Sequence, residues 1–181
     1  MKSNLKHHSF LDPAELLQAV PAELGNVVAD FGCGNGYYSV SAAQIVGSKG
    51  QVFALDIMED ALSQTASLAK TMGLSNISTR LCDLEKSGGA PINDTSCDLV
   101  IISSLLHQVE KKDIMLKEAY RVLKTGGKLL VVEWKPDANL GPAVSSRIAK
   151  NETAELLEKH GFRPISEIPA GSFHYGFLYS K

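Results

Sequence analysis

Residues 30–37 read Asp-Phe-Gly-Cys-Gly-Asn-Gly-Tyr, with glycines at alternate positions behind an acidic residue. Glycine lets the backbone turn sharply and lets a ligand approach the main chain with no Cβ in the way. About 20 residues beyond that loop stands Asp56, where a carboxylate can accept both hydroxyls of a ribose. Asp83 follows at the end of an alternating stretch, Ile77–Cys82. Together these residues form a constellation suited to a ribose-bearing ligand. Each also has a plainer reading: Asp30 capping the loop amides, Asp56 acting as N-cap of the next helix, Asp83 opening a turn. A nicotinamide dinucleotide fits less well. Its fingerprint is G-x-G-x-x-G, and here Gly32 and Gly34 match while the third position is Tyr37.

Thiol and metal chemistry find little support. Cys33, Cys82 and Cys97 make no Cys-x-x-Cys pair and are expected to pack beside strands. Metal or arsenic chemistry on thiols would need convergent cysteines, for which the spacing gives no basis. Unpaired cysteines predict a reducing compartment, the cytoplasm. His7-His8 invites a metal pair, but adjacent residues seldom share a metal, so a mobile tail and no metal site are expected.

These groups need a scaffold that brings strand ends to one rim. Asp12-Pro13-Ala14-Glu15 predicts a short helix to about Val20, with Asp12 as cap, Pro13 in the first turn and Glu15 reaching back. Val27–Phe31 is a buried strand by length and composition, and Tyr37–Val46 a helix closed by Gly47. The alternation continues through a strand at Gln51–Leu55, a helix at Glu59–Met72 stopped by Gly73, and a strand at Ile77–Cys82. A loop over 85–96 leads to a strand at Leu99–Ser103 and a helix at Asp113–Leu123. A turn at Thr125-Gly126-Gly127 then starts a strand at Lys128–Trp134. Such alternation predicts a doubly wound, Rossmann-like α/β sheet with parallel strands. After a helix at Glu152–His160, strands at Arg163–Ile168 and Phe173–Tyr179 are linked only by Pro169-Ala170-Gly171-Ser172. So short a link demands a hairpin, hence an antiparallel last strand in a sheet of seven. One domain over residues 1–181 is expected, with 1–24 as its lead-in segment and helix.

Composition agrees. A chain of 181 residues, 44% hydrophobic, can bury one sizeable core. A formal net charge of −2 argues against nucleic acid as the main partner. Apolar stretches stay far below the ~20 residues of a membrane span. Lys, Asn and two His among residues 1–10 speak against a secretory signal. No oligomeric state is specified.

The segment Asp30-Phe31-Gly32-Cys33-Gly34-Asn35-Gly36 resembles the first motif of class I S-adenosylmethionine-dependent methyltransferases. Leu55-Asp56-Ile57, Cys82-Asp83-Leu84, Asp98-Leu99-Val100-Ile101-Ile102-Ser103 and Leu123-Lys124-Thr125-Gly126-Gly127-Lys128 are similar to the later motifs, in order. The likeness covers about Val27 to Trp134 and is nearest the ubiquinone/menaquinone-biosynthesis C-methyltransferases (type 11/25 domain). It implies S-adenosylmethionine as cofactor, S-adenosylhomocysteine as product and a small-molecule acceptor. Gly32, Gly34 and Gly36, with Asn35 among them, would wrap the methionine part, with Asp30 near its amino group. Asp56 would hold the ribose, Ile57 lie against the adenine, Asp83 and Leu84 meet its edge, and Ser103 face the sulfonium.

Methyl transfer is an in-line displacement that gains most from alignment, with a general base needed for a hydroxyl or an acidic carbon. Parallel strands deliver Glu133 and Trp134 to the rim, and an antiparallel last strand enters there with His174 and Tyr175. His107 and Gln108 follow the fourth strand. Trp134, His174 and Tyr175 are therefore expected to line the acceptor pocket, and His107, His174 and Tyr175 are the catalytic candidates. In the plainer reading His107 satisfies a loop carbonyl and Tyr175 packs in the core. Phe10 and Leu11 are a candidate lid. Two other classes fit the same loop: a non-catalytic S-adenosylmethionine-binding module, and an enzyme methylating RNA or protein. Against base methylation, the residues after the fourth strand read Ser103-Ser104-Leu105-Leu106, not Asn-Pro-Pro-Tyr.

Overall fold

Short apolar runs and amphipathic segments alternate along the chain and become, in order, α1 (Pro13–Gln18), β1 (Val27–Phe31), α2 (Tyr37–Val46), β2 (Gln51–Asp56), α3 (Glu59–Thr71), β3 (Ile77–Leu81), β4 (Cys97–Ser103), α4 (Lys112–Val122), β5 (Leu123–Trp134), α5 (Lys150–Lys159), β6 (Arg163–Ile168) and β7 (His174–Ser180). The computed structural model describes residues 11–181. The readings of His7, His8 and Phe10 lie outside the described residues. Asp12 caps α1 by accepting the Ala14 amide at 2.9 Å.

The strands form one sheet in the order β3-β2-β1-β4-β5-β7-β6. Pairings among β1 to β5 are parallel, and β7 runs antiparallel to both β5 and β6. This is the doubly wound sheet with a reversed last strand. Side chains alternate between faces with period two, which splits the core into two layers. Val28, Val52, Leu99, Ile101, Leu130 and Leu178 pack against α1 and α2 through Leu16, Leu17, Ala42, Ala43 and Val46. Val100, Ile102, Leu129, Val131 and Phe177 pack against α4 and α5 through Met115, Leu116, Ala119 and Leu157. Each such side chain contributes about 1.5–3 kcal/mol of burial.

Most element ends shift by a residue or two from the sequence reading, and the start of β5 departs furthest. The predicted turn at Thr125-Gly126-Gly127 lies inside β5, which begins at Leu123 directly after α4. Cys97 already pairs with Leu123 there, and the register shifts between Cys97 and Leu99. The glycines therefore make an irregularity within the strand rather than a turn before it. Among the described residues, no helix is long and apolar enough to cross a membrane.

The strand order reverses between β1 and β4. Chain segments leaving these two strands diverge, and open α/β sheets bind ligands in the crevice this creates.

Candidate active site

The glycine loop lies between β1 and α2. Gly32, Gly34 and Gly36 all have left-handed φ, +71°, +51° and +81°, a region costly for any residue with a Cβ. At Gly36 space is decisive as well: a Cβ would lie 2.6 Å from Thr65 Oγ1 and 2.9 Å from Thr65 Cα. Neighbouring elements hold the loop in shape. The Gly32 and Cys33 amides donate to the Leu55 carbonyl at 2.8 and 2.9 Å, and Thr65 Oγ1 donates to the Gly34 carbonyl at 3.1 Å.

Asp56 ties the glycine loop to the turn that follows β2. Its Oδ2 accepts the Gly34 amide and its Oδ1 the Met58 amide, each at 3.0 Å. The second bond closes a turn ahead of α3, whose N-cap is Met58 without a side-chain cap. Asp56 therefore braces the glycine loop rather than capping the helix, and each oxygen keeps a second lone pair for a ligand. Asp30 is buried beneath the loop, where its Oδ2 accepts the Ser39 hydroxyl at 2.6 Å. Burial pushes this carboxyl up to about 6, and the hydrogen bonds from Ser39 offset only part of that. Asp30 thereby occupies the N-terminal end of α2, where the helix dipole favours a negative charge. Asp83 opens a turn: Oδ1 accepts the Glu85 amide at 3.0 Å and Oδ2 pairs with Lys86 at 3.2 Å. Those partners hold it below the usual carboxylate range.

These groups line one cavity of about 1150 Å³, larger than typical small-ligand pockets of roughly 300–1,000 Å³ and so roomy enough for two molecules. Asp30, Gly32, Gly34, Asn35, Asp56, Ile57, Asp83, Leu84 and Ser103 lie on its wall, whereas Gly36 is off the wall and packs against Thr65. Its lining carries Asp30, Asp56, Asp60, Asp83 and Glu85 and, among the described residues, no Lys or Arg. Cys33 and Cys82 also reach it, with thiols pushed by burial up to about 12 and about 11. They remain protonated packing groups.

The far end is walled by Trp134, His174, Tyr38, Leu105 and Gln108. Leu11 and Pro13 also line it. The Trp134 and His174 rings lie 4.0 Å apart between centroids. Burial lowers the His174 pKa, although Glu133 pulls the other way, and its Nδ1 is buried without a hydrogen-bond partner. The Tyr38 hydroxyl is buried without a well-formed hydrogen bond, with Ser103 as its neighbour. Unsatisfied buried groups of this kind are costly unless a ligand or water meets them.

Two candidates stand elsewhere. His107 is turned from the cavity, its Nδ1 at 2.8 Å from Glu133 Oε2, while Glu133 Oε1 accepts the Leu106 amide at 2.6 Å. Tyr175 donates to the Ile148 carbonyl at 3.0 Å and shares a 2.7 Å hydrogen bond with Thr153. Strand alternation is the cause. Trp134 is paired with His174 and Glu133 with Tyr175, so the first pair faces the α1/α2 side and the second the α4/α5 side. Applying that period to His174-Tyr175 separates them from sequence alone. Tyr38, Leu105 and Thr65 were not singled out by sequence. Tyr38 carried the one available signal, an aromatic two residues after the third glycine.

A family model described as a methyltransferase domain matches residues 23–165. The chain is 38% identical over 111 residues to the ubiquinone/menaquinone biosynthesis C-methyltransferase of Haemophilus ducreyi, covering 61% of this chain and 42% of that protein. It is 29% identical over 153 residues to the arsenite methyltransferase of Aquipseudomonas alcaligenes, covering 76% and 44%. The chain thus spans less than half the length of these curated relatives. A crystal structure of a SAM dependent methyltransferase from Aquifex aeolicus superposes with a TM-score of 0.87 at 25% identity, covering 94% of this chain and 90% of that one.

Proposed function

Because this chain belongs to the methyltransferase-domain family, we propose that it acts, as a single domain, on S-adenosylmethionine and a small uncharged acceptor. One observation carries the reading: the glycine loop opens onto a cavity lined by carboxylates, with Asp30 already at the head of α2. A dinucleotide would bring its pyrophosphate to that helix end, against Asp30. A ligand with an ammonium and a sulfonium instead meets complementary charge.

The residues present suit this cofactor. Asp30 would attract its ammonium, and Gly32, Gly34 and Asn35 would offer bare main chain to its amino-acid end, with Gly36 letting the loop pack on Thr65. Asp56 has lone pairs free for ribose hydroxyls. Ile57, Asp83 and Leu84 lie where the adenine would rest, and Ser103 lies beside Tyr38 on the sulfonium side. When bound, S-adenosylmethionine supplies an activated methyl group.

For the acceptor, Trp134 and Leu105 provide apolar surface and Gln108 and Ser104 polar contacts. The absence of basic groups among these wall residues favours an uncharged molecule over a phosphate, a carboxylate or nucleic acid. His174, kept neutral by burial, is our choice of general base if the acceptor must lose a proton, in place of His107 and Tyr175. Free Cys33, Cys82 and Cys97 support a cytoplasmic location.

Incubating the protein with methyl-labelled cofactor and a metabolite extract tests this. Label should pass to a small molecule, and His174→Asn should lower the rate by about 10²-fold with unchanged affinity for S-adenosylhomocysteine. Cofactor binding with no transfer to any fraction would mark a non-catalytic module, and transfer to RNA or protein would overturn the acceptor class.

A further inference from the structure

Residues 135–149, between β5 and α5, hold one short 3₁₀ turn, Val144–Ser146, yet they fold around a single side chain. The Arg147 guanidinium donates to five main-chain carbonyls at 2.7–3.2 Å: Nε and Nη2 to Pro142, Nη1 to Lys135, Pro136 and Ala138, and Nη2 to Leu140. Converging carbonyl oxygens repel one another unless a cation sits among them, so Arg147 is what closes residues 135–142 into a ring.

That ring bears on the cavity. Gly141 lies within it at φ +103° and meets the Trp134 face so closely that a Cβ would stand 2.4 Å from Cε3. Trp134 in turn lies against His174, the two rings tilted by 45°, and both line the cavity. Lys135 fastens the ring to the β6–β7 connection, its Nζ donating to the Gly171 and Ser172 carbonyls at 3.2 and 3.0 Å and its amide to Phe173 at 2.9 Å.

We propose that Arg147 is a positioning residue for the acceptor end of the cavity: by closing the 135–142 ring it presses Gly141 onto Trp134 and fixes the Trp134–His174 wall. The link to an acceptor rests on the methyltransferase reading; the link from Arg147 to Trp134 does not. Lysine cannot substitute, because a compact ammonium lacks the planar fork of five donors that the ring surrounds.

Trp134 is the only tryptophan in the sequence, so intrinsic fluorescence reports on this wall alone. In Arg147→Met and Arg147→Lys the emission should shift to the red, and acrylamide quenching should rise about twofold as the ring loosens. Affinity for S-adenosylhomocysteine, read by calorimetry, should stay within about twofold of the parent because its contacts lie at the other end. Gly141→Ala should move the same fluorescence signal with Arg147 intact, which keeps the test open if the methionine variant does not fold. Unchanged fluorescence in the arginine variants, recovery of the parent signal by lysine, or a parallel loss of S-adenosylhomocysteine affinity would each overturn the proposal. A parent protein that ignores S-adenosylhomocysteine would instead sink the methyltransferase reading and leave the fluorescence result to decide the Arg147–Trp134 coupling.

Discussion

Asp30 sits under the glycine loop with a carboxyl lifted to about 6 from an ordinary 3.8, because burial disfavours its charge more than Ser39 supports it. Between those values the folded protein holds a proton that the unfolded chain releases. Stability contributed by this site is therefore greatest below the ordinary value, falls as pH rises through that window, and stays reduced above it. Asp30→Asn removes the buried charge, so at pH 7 thermal melts should show a free protein at least as stable as the parent. The same change should weaken S-adenosylmethionine binding by about tenfold or more, since a charged partner is lost. Wild-type affinity should also fall as pH drops below about 6. A variant that melts lower and binds normally would remove Asp30 from the ligand's charge partners. At Gly36, an alanine must displace Thr65 at 2.6–2.9 Å in a left-handed backbone, costing about 1–3 kcal/mol in chemical denaturation. A melt unchanged in Gly36→Ala would show that α3 yields freely. The glycines and Asp56 were legible because backbone needs select residue type. Tyr175 was not, because the rim argument located strand ends without asking which face each neighbour takes.

The strands and helices are legible where segments are short and bounded, as at the apolar Val27–Phe31 and at the mostly polar Arg163–Ile168 between Gly161 and Pro169, whose limits agree residue for residue. What sequence does not display is how side chains order the loops. The segment at 85–96, read only as a turn-rich connection, is fastened to α4. Glu118 accepts the Gly88 and Ala90 amides at 2.8 and 3.1 Å, and Arg121 donates to the Ala90 and Ile92 carbonyls, both at 2.9 Å. Along the helix these two look like an ordinary i, i+3 surface pair, whereas Glu118 is in fact buried. Glu118→Ala should cost about 3 kcal/mol, as expected when one partner of a buried pair is removed. A loss below about 0.5 kcal/mol, the range of plain surface substitutions, would contradict that role. The ring around Arg147 escaped for the same reason: its bonds join a side chain to carbonyls several residues away, a pattern without hydrophobic periodicity.

The whole molecule follows from two topological facts. A five-residue link before β7 forces an antiparallel pairing, and the crossovers before it force parallel ones. The strand order reverses between β1 and β4, where the cavity opens, so the fold and the glycine-loop side of the cavity could be read from the chain. The opposite wall could be read only in part, because it is assembled from β5, β7 and the first turn of α2, which meet only in three dimensions. On this account the acidic cavity selects a cationic adenosyl ligand over an anionic dinucleotide. Titration calorimetry of the full chain with S-adenosylmethionine, S-adenosylhomocysteine and nicotinamide adenine dinucleotide, each to about 1 mM, tests that most directly. Saturable heats with the first two and none with the dinucleotide are the predicted result; a folded protein that ignores both sulfur compounds, or prefers the dinucleotide, would contradict it.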